Sequence, residues 1–502
     1  MKTIIRFFVL TMVAGAAVSA CTNLDEEIFS VVSQENFGKT PAEMNSLIGP
    51  AYGSICEYID GYYWYGMCSG DDYIIPSRGY DWNHGGVFRR IHEHSFNALE
   101  ANSYYNFWRF NAITNINKVL DMVENTEATI DHRERVLAEL RGLRAWWYFF
   151  MLDRIGPVPI VTKFAEELPS NEGLTRKDVY EWTVKELEDV VEDMNEDVSI
   201  STYGKMTKWA GYTLLAKLYL NAEIYSGTPQ WEKALACCNK VIDSQKYILE
   251  PNNNDNFLVH NEGSRENIFV VPYDYEHFIC YFIPYQMSLH YNQIDQFDVR
   301  FDCWNGPCFT ESFMKSYDKD DKRLSWFLYG QQYDKKGKPL NDRKGNLLNF
   351  TFEIADYANA TEVEGARIFK WELEKDGYNH MNNDFAIFRY VDVLLMKAEC
   401  LLRTGDEPGA RAIVNECRER NFDNYSSDKQ IKALTLDELL AERGRELVLE
   451  GWRRNDLIRF GKFTKPFDFK TTNDPDDNHT LLFPIPQQII DNNPNIVQNP
   501  GY

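Results

Sequence analysis

The sequence predicts a mostly α protein in which tetratricopeptide-like helix pairs (an α-α superhelix) carry an irregular, loop-rich lobe. In two blocks, about residues 102–244 and 386–463, apolar residues recur every three or four positions, as on one face of a helix. Between the blocks, from about 245 to 384, this periodicity is lost and Tyr, Phe, Asn, Asp and Gly are frequent. A long stretch of this kind is usually functional or a separate lobe, so we expect loops, short strands and isolated helices there.

The segment 208–244 shows the repeat unit most clearly. Two apolar stripes flank a turn at Gly227 and Pro229, and the unit is close to the ~34 residues of a tetratricopeptide repeat. Residues 388–420 have the same form around Gly405 and Pro408. We therefore predict a helix pair in each block.

Helix starts are marked by capping residues. Thr175 followed by Asp178, and Thr435 followed by Glu438, have the spacing of a side chain that accepts a hydrogen bond from the backbone N–H three residues on. Both threonines are predicted N-caps.

Seven bulky apolar residues, 146–152, lie between charged neighbours. The run is far shorter than the roughly 20 residues that cross a bilayer. Gly156 and Pro157 follow, and proline cannot continue a helix. We interpret the run as the buried part of a helix in the scaffold.

The N-terminus predicts export. Residues 1–20 contain Lys2, Arg6, an apolar stretch and small residues before Cys21, which is the pattern of a secretory signal peptide. The sequence "VSAC" resembles the lipobox of bacterial lipoproteins, so Cys21 is the predicted lipidation site. The alternative is plain secretion, with Cys21 an ordinary residue.

The charge excludes one class of partner. The formal net charge is −23, and no basic stripe for nucleic acid is present. Anionic lipid would repel such a chain, so membrane attachment is expected to come from the lipid anchor.

The cysteines give no metal framework. Apart from Cys21 there are nine, no CxxC pair occurs, and most are predicted to be buried small hydrophobic residues. Cys303 and Cys308 are close enough in sequence to pair, and that question stays open here.

The predicted organisation has four parts. They are the signal peptide at 1–20, an N-terminal region of helix pairs at 21–244, the loop-rich aromatic lobe at 245–384, and a C-terminal helical region with an extended tail at 385–502.

The sequence does not predict an enzyme or a cofactor. It lacks the GxSxG, HExxH, phosphate-loop and GxGxxG motifs. His92 and His94 could share a face of a strand and bind a metal, but an exposed polar loop is the favoured interpretation. Asp71 and Asp72 could act as paired carboxylates, although chance pairs are expected in so acidic a chain.

Sugar binding is the function that the loops favour. Exposed Trp and Tyr rings stack on the apolar faces of pyranoses, while Asp, Asn and Arg bind hydroxyl groups. Two loop segments offer such residues. The predicted glycan-binding residues are Asp72, Arg78, Tyr80, Trp82 and Asn83 in the first segment, and Tyr273, Tyr281, Tyr285 and Trp304 in the second.

Five motifs together resemble the SusD/RagB-like lipoprotein family of Bacteroidetes. They lie, in family order, at residues 141–162, 304–323, 389–406, 442–463 and 481–502. The resemblance implies tetratricopeptide-like helix pairs with an irregular ligand-binding face. It also implies a surface protein that passes a nutrient, often a glycan, to a SusC-like TonB-dependent outer-membrane transporter. The acidic residues after Cys21 resemble the surface-export signal of that phylum, which implies the outer face of the outer membrane.

Two rival functions remain on sequence grounds. One is a helical-repeat scaffold that binds a protein and no glycan. The other is a lipid-anchored glycan hydrolase. The long aromatic loops favour glycan binding over the first rival, and the absence of a catalytic motif weighs against the second.

Overall fold

The computed structural model describes residues 41–59, 61–127, 129–277 and 282–502. The signal peptide, the lipidation site Cys21 and the candidate Tyr281 lie outside the described residues, so these predictions stay predictions.

Helices dominate the described residues. The α-helices are α1 (Pro41–Gly53), α2 (Gly61–Gly66), α3 (Val87–His92), α4 (Ala98–Ala101), α5 (Phe110–Asn125), α6 (Arg133–Arg154), α7 (Arg176–Glu188), α8 (Lys208–Leu220), α9 (Ala222–Ser226), α10 (Trp231–Asp243), α11 (Pro284–Ser288), α12 (Ile294–Phe297), α13 (Glu311–Lys315), α14 (Tyr390–Arg403), α15 (Glu407–Glu419), α16 (Leu436–Glu446), α17 (Arg453–Arg459) and α18 (Gln487–Asn492).

Short strands and 3₁₀ turns fill the loop-rich parts. The strands are β1 (Tyr73–Ile74), β2 (Asn267–Val271), β3 (Cys308–Phe309), β4 (Phe327–Leu328), β5 (Gly330–Gln331), β6 (Asn349–Phe350), β7 (Arg367–Ile368) and β8 (Phe385–Arg389). They pair antiparallel as β1 with β3, β2 with β8, β4 with β7 and β5 with β6. The 3₁₀ turns are Ser54–Tyr58, Met67–Ser69, His84–Gly86, Val191–Asp193, Asn253–Phe257, Tyr291–Gln293, Lys322–Trp326 and His479–Leu481.

The helices pack in neighbouring pairs. α5 packs on α6, α6 on α7, α8 on α10, and α14 on α15, while α10 also packs on α14 and so joins the two helical blocks. Gly227 and Gly405 adopt positive φ at the ends of their helices, as a tight turn requires. The predicted fold class, mostly α with tetratricopeptide-like pairs, is confirmed.

The aromatic run of α6 is core, as predicted. All residues from Trp146 to Leu152 are buried. The Trp146 ring contacts Tyr58 at 5.5 Å and Phe388 at 5.4 Å between centroids. The central helix therefore packs residues of the N-terminal segment against residues of the C-terminal block.

The capping predictions are also confirmed. Thr175 accepts from the Asp178 backbone N–H and forms a full capping box at α7. Thr435 accepts from the Glu438 N–H at α16. These side chains satisfy N–H groups that have no partner inside the helix.

Three predicted boundaries differ from the structure. Residues before Phe110 do not join α5. Residues 386–389 form β8 rather than helix, because they pair with β2 in a bulged antiparallel ladder. The tail, predicted to be wholly extended, contains the short α18, which begins directly after Pro486. Proline ends a helix but is tolerated at its start, which explains that difference.

The β1–β3 pair brings two distant loop segments together. Tyr73 pairs with Phe309 and Ile74 with Cys308. Buried apolar residues from every described region, from Ile48 to Ile496, belong to one main hydrophobic cluster. The predicted region boundaries near 244 and 384 stay a prediction.

Within the described ranges, every helix is too short or too polar to pass through a lipid bilayer.

We expect Trp147→Ala to lower the free energy of unfolding by about 3–5 kcal/mol, the usual cost of deleting a large buried aromatic side chain. Trp147 is fully buried in α6. Urea denaturation of the purified protein measures the change. Trp209→Ala is the matched control, because Trp209 is only partly buried; equal losses in both variants would contradict the assignment of Trp147 to the core.

Candidate functional site

Trp82 and Trp304 lie side by side, although about 220 residues separate them in sequence. Their ring centroids are 6.2 Å apart at an interplanar angle of 53°. The Trp82 indole N–H donates to the Trp304 carbonyl oxygen at 2.7 Å. Trp304 is 39% exposed and Trp82 is partly exposed. The two predicted loop segments therefore meet at the surface.

The loop that carries Trp82 is conformationally strained. Trp82 and His84 have φ angles of 60° and 41°, and Gly79, Gly85 and Gly86 also have positive φ. For a bulky residue such a backbone costs of order 1–3 kcal/mol, and it persists where the surroundings enforce it. Such strain is frequent at functional sites, where it fixes a side chain in one orientation.

Trp304 is held by the backbone around it. The N–H groups of Trp304, Asn305 and Gly306 donate to carbonyl oxygens of residues 286–289, each at 2.8 Å. The buried Arg367 guanidinium donates twice to the Asn305 side-chain oxygen, at 2.9 and 2.8 Å. This turn is rigid before any ligand arrives.

Gly306 makes room for the Trp82 ring. A Cβ atom on Gly306 would overlap the Trp82 indole, while its φ is one that other residues adopt. The glycine is therefore required for the close approach and not for the backbone angle.

Further aromatic and polar groups extend this surface. The exposed His84 ring lies 3.2 Å, Nδ1 to Oη, from Tyr104 and packs on Phe88 at 5.1 Å. Tyr80 is 102% exposed. The exposed Asn83 uses its side-chain oxygen to accept the Gly85 N–H. We call the surface formed by Tyr80, Trp82, Asn83, His84, Tyr104 and Trp304 the tryptophan face.

Polar side chains border the tryptophan face beside Trp82. Asp81 accepts from Tyr291 Oη at 2.5 Å and from Arg343 Nη2 at 3.0 Å. The Arg343 guanidinium stacks 3.8 Å above the Tyr291 ring and donates to Glu362 at 2.7 Å. Burial and the bond to Asp81 raise the pKa of Tyr291, so its hydroxyl stays protonated and can donate.

Asp72 and Arg78, predicted as exposed ligands, are buried. Arg78 donates to the Glu364 carbonyl oxygen at 2.8 Å and to Thr361, and so anchors the loop from beneath. The backbone carbonyl of Asp72 accepts from Thr310 next to the β1–β3 pair. Burial, together with the Asp71 carboxylate, raises the pKa of Asp72 to about 7. Both side chains are therefore buried beneath the surface and do not belong to the tryptophan face, contrary to the prediction.

Tyr285 and Tyr273 are also buried, contrary to the prediction. The Tyr285 hydroxyl donates to the Trp371 carbonyl oxygen, and burial raises its pKa. Tyr273 stacks on Phe282 at 5.2 Å. Neither tyrosine belongs to the tryptophan face: Tyr285 packs beneath the loops, and Tyr273 lines a separate cavity.

His92 and His94 are buried, so the favoured prediction of an exposed loop is wrong. His92 Nδ1 and Nε2 lie 2.9 and 2.6 Å from the carbonyl oxygens of Cys68 and Asp468. His94 bonds to Asp474 at 2.7 Å and to the Ser69 carbonyl at 2.8 Å. All four ring nitrogens have protein partners, which leaves none to bind a metal.

The question of a Cys303–Cys308 pair has a structural answer. Cys303 and Cys308 are both free and buried, so they do not pair. Cys56 is disulfide-bonded. Within the part of the chain that the structure describes, no group of three or more His, Cys, Asp or Glu side chains is arranged to hold a metal ion.

Sequence reasoning missed His84, Tyr104 and the Asp81–Arg343 pair. His84 follows Trp82 and Asn83 directly, so the local cluster of ring-bearing residues was an available signal. Tyr104 and Arg343 come from segments that no local pattern links to this loop.

The fold and surface define a class: a helical-repeat protein that presents a preorganised aromatic surface to a ligand. Two family models match the sequence. One is described as "SusD family" and matches residues 308–502. The other is described as "Starch-binding associating with outer membrane" and matches residues 72–220. The chain belongs to the SusD/RagB-like family of Bacteroidetes, whose members are associated with the outer membrane.

Individual relatives agree with this assignment. The chain is 28% identical over 439 residues to "Starch-binding protein SusD" of Bacteroides thetaiotaomicron, covering 78% of this chain and 76% of that protein. It is 23% identical to "SusD-like protein P38" of Formosa agariphila, covering 100% of this chain and 99% of that protein. Its structure resembles surface glycan-binding protein A of B. thetaiotaomicron in complex with laminarihexaose, with a TM-score of 0.69, 22% identity, and coverage of 91% and 99%. The fold is thus shared over almost the whole chain.

We expect Gly306→Ala to displace the Trp82 ring and break its bond to Trp304, because the added methyl group and the indole cannot occupy the same space. Overpacking of this kind costs about 1–3 kcal/mol in stability. Near-ultraviolet circular dichroism should report the altered environment of the indoles. Gly263→Ala is the matched control, since nothing lies within 4 Å of its added Cβ. Identical spectra for both variants would contradict the described packing.

Proposed function

We propose that the protein is a surface-exposed, lipid-anchored outer-membrane protein that binds a glycan or oligosaccharide and delivers it to a SusC-like TonB-dependent transporter. The observation that carries the proposal is the tryptophan face. Two partly exposed indoles lie together at the surface, fixed by a strained loop and a hydrogen bond, beside a polar border.

The chemistry of this surface suits sugars. Each pyranose has apolar C–H faces that pack on an aromatic ring, and hydroxyl groups at its edge that need donors and acceptors. Trp82 and Trp304 supply the rings, while Asn83, Asp81 and Arg343 supply polar groups next to them. Because these groups are already ordered, little conformational entropy is lost when a ligand binds.

The relatives support the same ligand class. The SusD relative is a starch-binding protein by its name, and the structural neighbour was solved with laminarihexaose. Both ligands are glucose polymers, so glucans are the first ligands to test here.

We infer binding without catalysis. Glycoside hydrolysis needs one carboxylic acid that is protonated and one free carboxylate across the scissile bond. At the border of the tryptophan face, Asp81 is tied to Tyr291 and Arg343, and Glu362 to Arg343 and His290. Burial alone would raise the pKa of Glu362, but Arg343 and His290 lower it below its usual value. Such a carboxylate stays ionised and cannot act as the general acid.

We expect Trp82→Ala and Trp304→Ala to weaken oligosaccharide binding by about 1–3 kcal/mol each, the size of a stacking contact on an aromatic platform, which is about 5- to 150-fold in dissociation constant. Isothermal titration against starch-derived and laminarin-derived hexasaccharides measures the effect. Thermal melting should show that both variants remain folded.

Trp209→Ala is the matched control for these variants. Trp209 is also partly exposed and also donates its indole N–H to a backbone carbonyl, of Glu196 at 2.8 Å, but it lies on α8 in the helix pairs. Its removal should leave binding unchanged. Unchanged binding of a ligand by the Trp82→Ala, Trp304→Ala double variant would contradict the proposed site for that ligand.

Membrane anchoring is proposed to depend on Cys21. Among the described residues no helix is long and apolar enough to cross a membrane, and lipid chains on this cysteine would supply an attachment. Cys21→Ala should therefore release the protein from the outer-membrane fraction in cells that lack the transporter, with the glycan affinity of the purified protein unchanged. Continued membrane fractionation of the variant would contradict the lipidation site.

A further inference from the structure

A cavity lies in another part of the structure, outside the tryptophan face. It has a volume of about 900 Å³ and is formed by α1, the loop at 203–205, the loops at 260–262 and 272–276, and the segment 374–384. None of its lining residues belongs to the tryptophan face. Its volume is that of a small-molecule or oligosaccharide site rather than of a packing defect.

A flat pair of tyrosine rings forms part of the cavity wall. Tyr275 and Tyr378 stack with 4.2 Å between centroids and an interplanar angle of 2°. Tyr378 is 44% exposed, and Tyr275 is partly exposed. The Tyr275 backbone N–H donates to the side-chain oxygen of Asn382, and this hydrogen bond helps to hold the ring pair in place. The Arg300 guanidinium lies 5.8 Å from the centroid of the Tyr378 ring, and the remaining exposed ring surface of the pair is a platform for stacking a ligand ring.

The rest of the cavity wall contains both apolar and polar side chains. Ile48 of α1, Ile55 of the following 3₁₀ turn and Pro272 supply apolar surface. Asp384 is buried and accepts from Tyr203 Oη at 2.7 Å and from the Tyr273 backbone N–H at 2.8 Å. Burial raises the pKa of Asp384 to about 6. Apolar surface with a few oriented polar groups is the usual composition of a ligand site.

The charge of the lining is strongly one-sided. Among the described residues, six acidic side chains line the cavity, against Lys205 and the two histidines His260 and His380. Some carboxylates have partners: Glu374 accepts from Asn382, and Asp376 lies 4.0 Å from Arg300. Glu262 and Glu276 are exposed. A concave site lined mainly by one sign of charge attracts ligands of the opposite sign and repels ligands of the same sign.

We propose that this cavity is a second saccharide-binding site, selective for amine-bearing sugars over neutral and anionic ones. The Tyr275–Tyr378 pair stacks against the sugar ring, and the protonated amine lies among the carboxylates. Uronic acids and sulfated sugars are repelled. The site goes beyond the glycan binding assigned to the tryptophan face and does not require it.

Hydrogen bonds of Gln286, in α11, connect the supports of the two surfaces. The side-chain oxygen of Gln286 accepts from Asn379, next to Tyr378, at 3.0 Å. Its backbone oxygen accepts from the Trp304 N–H at 2.8 Å. Gln286 thus connects the residue next to Tyr378 with the backbone that supports Trp304.

The test uses the full mature protein carrying Trp82→Ala and Trp304→Ala, so that the tryptophan face is removed. Isothermal titration is run at mildly acidic pH, where sugar amines are protonated, with three hexasaccharides: hexaglucosamine, its N-acetylated form and hexagalacturonate. We expect hexaglucosamine to bind at least about tenfold more tightly than the N-acetylated form, since tenfold corresponds to only about 1.4 kcal/mol. Hexagalacturonate should not bind.

Tyr378→Ala in that background should weaken hexaglucosamine binding by about 5- to 150-fold, as for loss of an aromatic platform. Glu276→Gln should weaken it less and should reduce its salt dependence. Tyr329→Ala is the matched control, because Tyr329 is equally exposed at 44% but does not line the cavity.

Three outcomes would overturn the proposal. The first is no binding of hexaglucosamine, and the second is equal binding of the three hexasaccharides. The third is an unchanged affinity for hexaglucosamine in Tyr378→Ala, because binding would then reflect only diffuse attraction of a polycation to an acidic surface. Because the background lacks both tryptophans, none of these outcomes bears on glycan binding at the tryptophan face.

Discussion

The buried charges around Arg389 are the constraint on which the fold depends. Arg389, at the end of β8, is fully buried, at 1% exposure, and donates to Glu450 and Glu266. Glu446 on α16 accepts from Arg323 and Arg420. Burial would raise the pKa of Glu446, but these guanidinium groups and Arg389 lower it strongly, so it stays ionised. Removing one partner would leave an uncompensated buried charge, which typically costs 3–5 kcal/mol.

This network joins parts of the chain that local structure does not connect. Glu266 precedes β2, Arg323 lies in the loop-rich region, and Glu446 lies in the C-terminal helices. A second buried network runs from Lys217 on α8 through Asp392 and Arg443 to Asp456. The scaffold is fixed by paired charges as well as by apolar packing. The loops that it carries can therefore keep an irregular and strained backbone conformation. The positive φ of Trp82 is an example of such strain, which the surrounding structure enforces.

Local patterns predicted the scaffold well. Periodicity found the helix pairs, and hydroxyl residues at helix starts found the caps at Thr175 and Thr435, because both depend on residues a few positions apart. The candidate site was predicted in part. Trp82 and Trp304 were chosen as loop aromatics, and the structure places them together. Asp72, Arg78, Tyr273 and Tyr285 were chosen by the same rule but are buried, because burial in a loop is decided by distant partners such as Phe309 or Trp371. Composition of a loop cannot tell a ring that faces solvent from one that packs beneath it.

The central claim is that a rigid helical scaffold holds two distant loops so that Trp82 and Trp304 form one preorganised sugar-binding surface. A crystal structure of the protein with a bound oligosaccharide tests it most directly. The account predicts sugar rings within about 4.5 Å of both indoles, the usual contact distance, with the loop at 79–86 in the same backbone conformation as in the free protein. An oligosaccharide that contacts neither indole, or that binds only after this loop has rearranged, would contradict it.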